Sequence, residues 1–155
     1  EIQAALPGVV LSTDVIVGFP TETGAEFADT VEVMETVRFD SAFIFKYSVR
    51  PGTLAAKKFP DDVSEAVKTQ RIVQLNNLQK EISLARHQQR IGSVEMVLIE
   101  RQGSKKSAEE VQGRTDGNLL VILPAGAGRP GDFIQARIAE ATPHVLKGVV
   151  EPSTA

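Results

Sequence analysis

The sequence predicts an α/β unit, the final β-α-β part of a partial TIM-like barrel, followed by a small all-β, OB-like barrel of five strands. Three observations carry this. Val15, Ile16 and Val17 form a β-branched run stopped by Gly18 and Pro20, and a helical pattern follows at once. At Gly92 the apolar periodicity changes from helical to alternating. Beyond it, five short apolar runs fall within about sixty residues, two of them flanking Asp116-Gly117.

Taken in order, residues 1–6 read as the end of a helix entered midway, closed by Pro7-Gly8. With no initiator methionine, the chain is expected to be a piece of a longer protein. Thr13 to Val17 is a strand expected to be covered on both faces. Thr23 and Glu26 form a capping box, and Phe27, Val31 and Met34 recur on one helical face. Ala42 to Tyr47 is a second strand, ending in Ser48-Val49-Arg50-Pro51-Gly52-Thr53. A crossover between parallel strands is right-handed, so the Gly18–Glu22 and Ser48–Thr53 loops are expected on one rim, where ligands bind in such sheets. Two parallel strands cannot bury both faces, which is why a larger barrel is expected around them.

Leu54 to Asp62 reads as a connector. Ser64 caps a long helix with Ile72, Leu75, Leu78, Ile82 and Ala85 on one stripe, and Gly92 ends it. The expected small strands are Val94–Ile99, Gly113–Thr115, Leu119–Leu123, Phe133–Ala139 and Val145–Val150, with a type I′ turn at Asp116-Gly117. The expected organisation is residues 1–62 as barrel part, 63–91 as connecting helix, 92–150 as the small barrel and 151–155 as a tail.

The chain has no cysteine, which excludes disulfides and thiolate ligands or nucleophiles among its 155 residues. No apolar run approaches a membrane span and no signal-peptide pattern occurs at the start, and together with the lack of cysteine this points to a cytoplasmic protein with no membrane partner. Net charge is −3, so nucleic-acid contact has to come from local patches. The long helix is locally basic, with Lys68, Arg71, Lys80, Arg86 and Arg90 against Glu65 and Glu81. Lys105, Lys106 and Arg114, in or beside the first connection of the small barrel, are either phosphate contacts or a solvated loop beside Glu109 and Glu110. The Gly18–Glu22 loop either offers free N–H groups to an anion or is a tight turn shaped by Gly and Pro. Asp14 is a polar contact inside the barrel or the partner of a lysine. Lys46 and Arg50 share the rim, where Arg50 either clamps a phosphate or base or faces solvent.

Gly126-Ala127-Gly128-Arg129-Pro130-Gly131 matches a dinucleotide fingerprint in letters only, because Pro130 interrupts it and a strand follows. His87 and His144 have no partner at ligand spacing and are expected on the surface, so no metal site is assigned.

Several segments together resemble the radical S-adenosylmethionine methylthiotransferases. These are Ser12 to Pro20 with Glu22-Thr23, Phe39 to Phe43, Lys46-Tyr47-Ser48 and Arg50-Pro51-Gly52-Thr53. Ser104 to Ser107 and Gly113-Arg114-Thr115 with Asn118 resemble that family's TRAM domain, a small RNA-binding β-barrel. The Arg50–Thr53 segment looks most like the enzymes that methylthiolate isopentenyladenosine beside the tRNA anticodon. Two positions depart from the family pattern: Thr21 where glycine is usual, and Ser64 where proline is common.

The resemblance implies S-adenosylmethionine and two 4Fe-4S clusters in the full-length enzyme, and a radical that activates a C–H bond of adenine. It also implies an electron donor of unknown identity and the tRNA anticodon stem-loop as partner. Because the family's cluster ligands are cysteines, this piece holds no catalytic residue and is expected to be inactive alone. It places Asp14, Gly18, Phe19, Pro20 and Glu22 at the cofactor, and Lys46, Arg50, Lys105, Lys106, Arg114 and Asn118 at the RNA. The alternatives are a stand-alone RNA-binding module and a methylthiotransferase acting on a ribosomal protein.

Overall fold

The structure is a computed structural model that describes residues 2–104 and 107–152. Its elements run α1 (Ile2–Ala5), β1 (Ser12–Val17), α2 (Gly24–Val37), β2 (Ser41–Lys46), α3 (Leu54–Lys58) and α4 (Glu65–Gln88). The strands β3 (Val94–Ser104), β4 (Ser107–Thr115), β5 (Leu120–Pro124), β6 (Phe133–Ala141) and β7 (Leu146–Val150) follow. The chain divides into two compact units, Leu11–Ile82 and Glu1–Val10 with Ser83–Ala155, and the division falls inside α4.

In the first unit β1 and β2 pair in parallel, from Ser12 opposite Ser41 to Val17 opposite Lys46. The crossover helix α2 begins as expected: the Thr23 hydroxyl accepts from the Glu26 N–H at 3.2 Å, and Glu26 accepts from the Thr23 N–H at 2.7 Å. It ends at Arg38, whose left-handed φ of 54° turns the chain into β2. At the start of the pair the buried Asp40 carboxylate accepts from the Leu11 N–H, and the Leu11 carbonyl accepts from the Asp40 N–H.

Val17, Phe27, Met34 and Leu75 form the core of this unit, with Val15, Ala42, Ile44, Ile72 and Leu78 packed around them. Helices therefore cover one face of the pair. Burial along β1 alternates, and Ile16, Phe43 and Phe45 on the other face are 55%, 62% and 54% exposed. The expectation that Val15 to Val17 is covered on both faces does not hold among the described residues. The run of apolar residues was a measure of what the strand offers, not of what lies over it.

The connector after Thr53 contains a short helix, α3, because the Thr53 hydroxyl accepts from the Ala56 N–H and Leu-Ala-Ala-Lys-Lys favours helix. Ser64 caps α4 in the same way.

In the second unit the five strands close in the order β3-β4-β5-β7-β6. All pairings are antiparallel except β5 with β7, which closes the barrel through Val121 opposite Leu146 and Ile122 opposite Lys147. Inward residues Val97, Ile99, Val111, Val121, Leu123, Ala136, Ile138 and Leu146 fill it, with Val10 against the same core. Gly113 permits closure, since a Cβ there would lie 2.5 Å from the Leu98 carbonyl oxygen.

Two expectations are corrected here. The turn after β4 is not type I′, because neither Asp116 nor Gly117 has positive φ. The left-handed residue is Asn118, at φ 63°, and its N–H donates to the Thr115 carbonyl at 2.9 Å. Gly117 is small for a packing reason: a Cβ would sit 2.4 Å from Val10 Cγ2. His87, expected on the surface, is buried, and its Nδ1 is 2.7 Å from the Thr142 carbonyl oxygen; His144 is exposed.

Candidate functional site

The parallel register carries both strand ends to one edge of the first unit. The Tyr47 N–H continues the ladder by donating to the Val17 carbonyl at 2.8 Å, so the two following loops emerge side by side. The Phe19 ring meets Tyr47 edge-on at 5.2 Å between centroids and lies 6.5 Å from Phe59. Phe19 is 42% exposed while Gly18 and Pro20 are buried, so the loop turns its apolar ring outward.

Three N–H groups of this loop are already committed. The Gly18 N–H donates to Glu22 Oε2 at 2.5 Å, the Thr21 N–H to Asp62 Oδ1 at 2.7 Å, and the Glu22 N–H to the Phe19 carbonyl at 2.9 Å. Glu26 takes the Thr23 N–H; that backbone bond first, and the Thr23 hydroxyl second, hold its carboxyl below the usual carboxylate range. Carboxylates of the protein itself thus hold the N–H groups of Gly18, Thr21 and Thr23, three of those near the place where the sequence reading puts an external anion.

Two cations of α4 close the arrangement from beneath. Arg71 donates to the Glu22 carboxylate and, at 3.2 Å, to the Glu22 carbonyl, and its guanidinium lies 5.3 Å from the Phe27 ring centre. Lys68 donates to both oxygens of Asp61 at 2.6 and 2.7 Å and lies 5.4 Å from the Tyr47 ring centre. Sequence reasoning assigned no site role to Lys68, Arg71, Asp61 or Asp62. The signal was present: Lys68 and Arg71 fall on the stripe that continues through Ile72, Leu75 and Ile82, where a solvated cation has no place.

The remaining rim residues differ in freedom. Lys46 pairs with Glu65 at the start of α4. Arg50 is exposed, and among the described residues its guanidinium has no partner. Asp14 is exposed on the open face, in register with Phe43.

In the barrel unit, Arg114 is pinned from two sides: Nε donates to Glu100 at 3.3 Å and a terminal nitrogen to the Asn118 carbonyl at 2.9 Å. Asn118 is thereby the hinge of the turn and an anchor for Arg114 through its main chain. Lys105 and Lys106 lie outside the described residues. Among the described residues no cluster of three His, Asp or Glu side chains is arranged to hold a metal ion. No helix among them is long and apolar enough to cross a membrane.

Residues 88–150 match the TRAM domain family. The chain is 46% identical over 147 residues to a tRNA-2-methylthio-N(6)-dimethylallyladenosine synthase from Chlorobium limicola, covering 95% of this chain and 33% of that protein. Proteins of the same name from Methylacidiphilum infernorum and Flavobacterium psychrophilum are 43% and 38% identical, each covering 96% of this chain and 31% of the relative. The chain thus spans about a third of the length of the curated relatives it matches. The chain is thus similar along nearly its whole length to part of these methylthioadenosine synthases, and its barrel residues match the TRAM domain.

Proposed function

We propose that this chain is the part of a cytoplasmic tRNA methylthiotransferase that supplies one side of the cofactor and substrate rim and the RNA-gripping barrel. The observation that carries the reading is the identity to dimethylallyladenosine-modifying synthases over 95% of the chain, spanning both the rim loops and the barrel. The reaction is the addition of a methylthio group to a prenylated adenosine beside the anticodon.

When bound, S-adenosylmethionine and the two iron–sulfur clusters supply the radical and sulfur chemistry. The clusters take no cysteine ligand from this chain, which has none. The rim residues present fit an uncharged, flat part of a ligand better than an anion, because Phe19 faces outward while the loop N–H groups are held by Glu22 and Asp62. Gly18 and Pro20 shape that loop, and Asp14 offers a carboxylate on the same strand. Arg50, unpaired and exposed, is suited to a phosphate or the base of the anticodon stem-loop. Lys105, Lys106 and Arg114 position the RNA backbone without reading its sequence.

The test is the full-length gene product, reconstituted with its clusters and a chemical reductant standing in for the native electron donor. It is offered a prenylated anticodon stem-loop and a ribosomal-protein peptide, and products are read by mass spectrometry. Methylthiolation of the prenylated RNA is expected. Modification of the peptide instead, or RNA binding with no S-adenosylmethionine-dependent product, overturns the reading.

A further inference from the structure

We infer that Lys68 and Arg71 of α4 are positioning residues that fix the Gly18–Glu22 loop in the shape it presents to its ligand. The inference rests on reading that loop as part of the cofactor rim.

Gly18 has φ 70°, and the volume where its side chain would stand is filled by Lys68: an added Cβ would lie 2.3 Å from Lys68 Cγ, 3.1 Å from Cδ and 3.2 Å from Cε. The Lys68 stem therefore sets how far the loop can settle toward the helix. Beyond the stem, the ammonium is tied to Asp61 and reaches the Tyr47 carbonyl at 3.4 Å, so one side chain touches the loop after β1, the end of β2 and the connector. Arg71 acts one turn later. It holds the Glu22 carboxylate, and the same oxygen accepts the Gly18 N–H, so the guanidinium fixes the first amide of the loop through Glu22.

Burial decides that these pairs matter. The side chains of Lys68, Arg71 and Glu22 are 4%, 10% and 11% exposed, whereas an exposed ion pair contributes little to anything. Buried pairs carry a desolvation cost that apolar residues of the same size avoid. An all-apolar face on α4 would pack against the loop equally well. What it would lack is direction, because only charged hydrogen bonds single out particular loop atoms. A loop held by apolar contact alone has several settled positions; bonds from Arg71 and Lys68 to particular atoms favour one of them.

The experiment uses the full-length reconstituted protein with Lys68→Met, which keeps the unbranched stem, Arg71→Met and Arg71→Lys. Three quantities are measured: S-adenosylmethionine Kd by equilibrium dialysis, kcat at saturating cofactor, and amide exchange of the segment containing Gly18 and Thr21. Arg71→Met is expected to raise Kd about tenfold and speed exchange of the segment by a similar factor, with kcat changed less than about threefold. Lys68→Met is expected to act in the same direction, and Arg71→Lys to restore most of the affinity.

A lowered Tm with unchanged Kd and unchanged loop exchange overturns the inference, since that is the pattern of a residue that only stabilises. Should the methionine variants fail to fold, Glu22→Gln removes the charge while keeping the shape, and an unchanged Kd and loop exchange there overturn it equally. Wild-type protein that does not bind S-adenosylmethionine sinks the cofactor reading instead, and loop exchange in the variants then still decides the role of the two cations.

Discussion

Gly18 and Glu26 show how differently single residues disclose their roles. Thr23 and Glu26 announce a helix start by spacing alone, and the two reciprocal hydrogen bonds are both present. Gly18 announces a turn, yet the stronger reason for it is the Lys68 stem fifty residues away in sequence. Gly18→Ala meets both a positive φ and that buried stem, and is expected to destabilise the first unit by at least about 2 kcal/mol, read as a lowered denaturant midpoint. The Glu26 carboxyl titrates lower in the folded protein than in the unfolded chain. Its contribution to stability is therefore complete above its ordinary pKa and is lost as pH falls through the depressed value. Glu26→Gln is expected to flatten the acid limb of the stability–pH profile; an unchanged limb would show that the box bears no part of it.

At the scale of elements, strand–helix–strand order and the barrel strands were legible because periodicity and turn residues report them directly. The β4–β5 turn was legible in place but not in type. Asp-Gly is the usual signature of a primed turn, but contact between Gly117 and Val10 and the left-handed Asn118 give a different one. Asn118→Gly is accordingly expected to be near neutral, while Asn118→Ala costs about 1 kcal/mol in thermal or chemical unfolding. Equal effects of the two would contradict the turn assignment. On α4, Leu75 is fully buried in the first unit's core, and Leu75→Ala is expected to cost about 3 kcal/mol in the same assay. The helix stripe was read correctly for its apolar members; its two cations were counted only in the basic balance of the helix, although Lys68 and Arg71 are turned into the protein.

For the whole molecule, the two units answer to different chemistry and are tested separately. Charge over the barrel is nearly balanced, so the RNA contact proposed above has to depend on a few local cations. The Lys105→Ala, Lys106→Ala double variant is expected to weaken binding of all RNA sequences alike and to reduce the salt slope by about 1 to 2. Arg114→Ala is expected to change the slope less, because Glu100 already neutralises part of its charge. Filter binding across a salt series separates these outcomes, and a slope unaltered by the double variant removes both lysines from the interface. In the first unit, exposed Ile16, Phe43 and Phe45 mark a face that the two described strands leave open.

The sequence by itself determined the strand–helix–strand order, the starts of α2 and α4, the five barrel strands in place though not the full length of β3 and β4, and that the two rim loops emerge at one edge; α3 it read as connector. Each of these depends on residues close along the chain, or on the fixed hand of a parallel crossover. Only the tertiary structure decided what the rim loop offers and what holds it. The carboxylate that takes the Thr21 N–H lies in the connector before α4, and the Lys68 stem against Gly18 and the guanidinium on Glu22 lie on α4, so no pattern local to the loop reports them. Burial of one strand face, of His87 and of the two α4 cations likewise depends on what packs over them, which the linear order of residues does not encode.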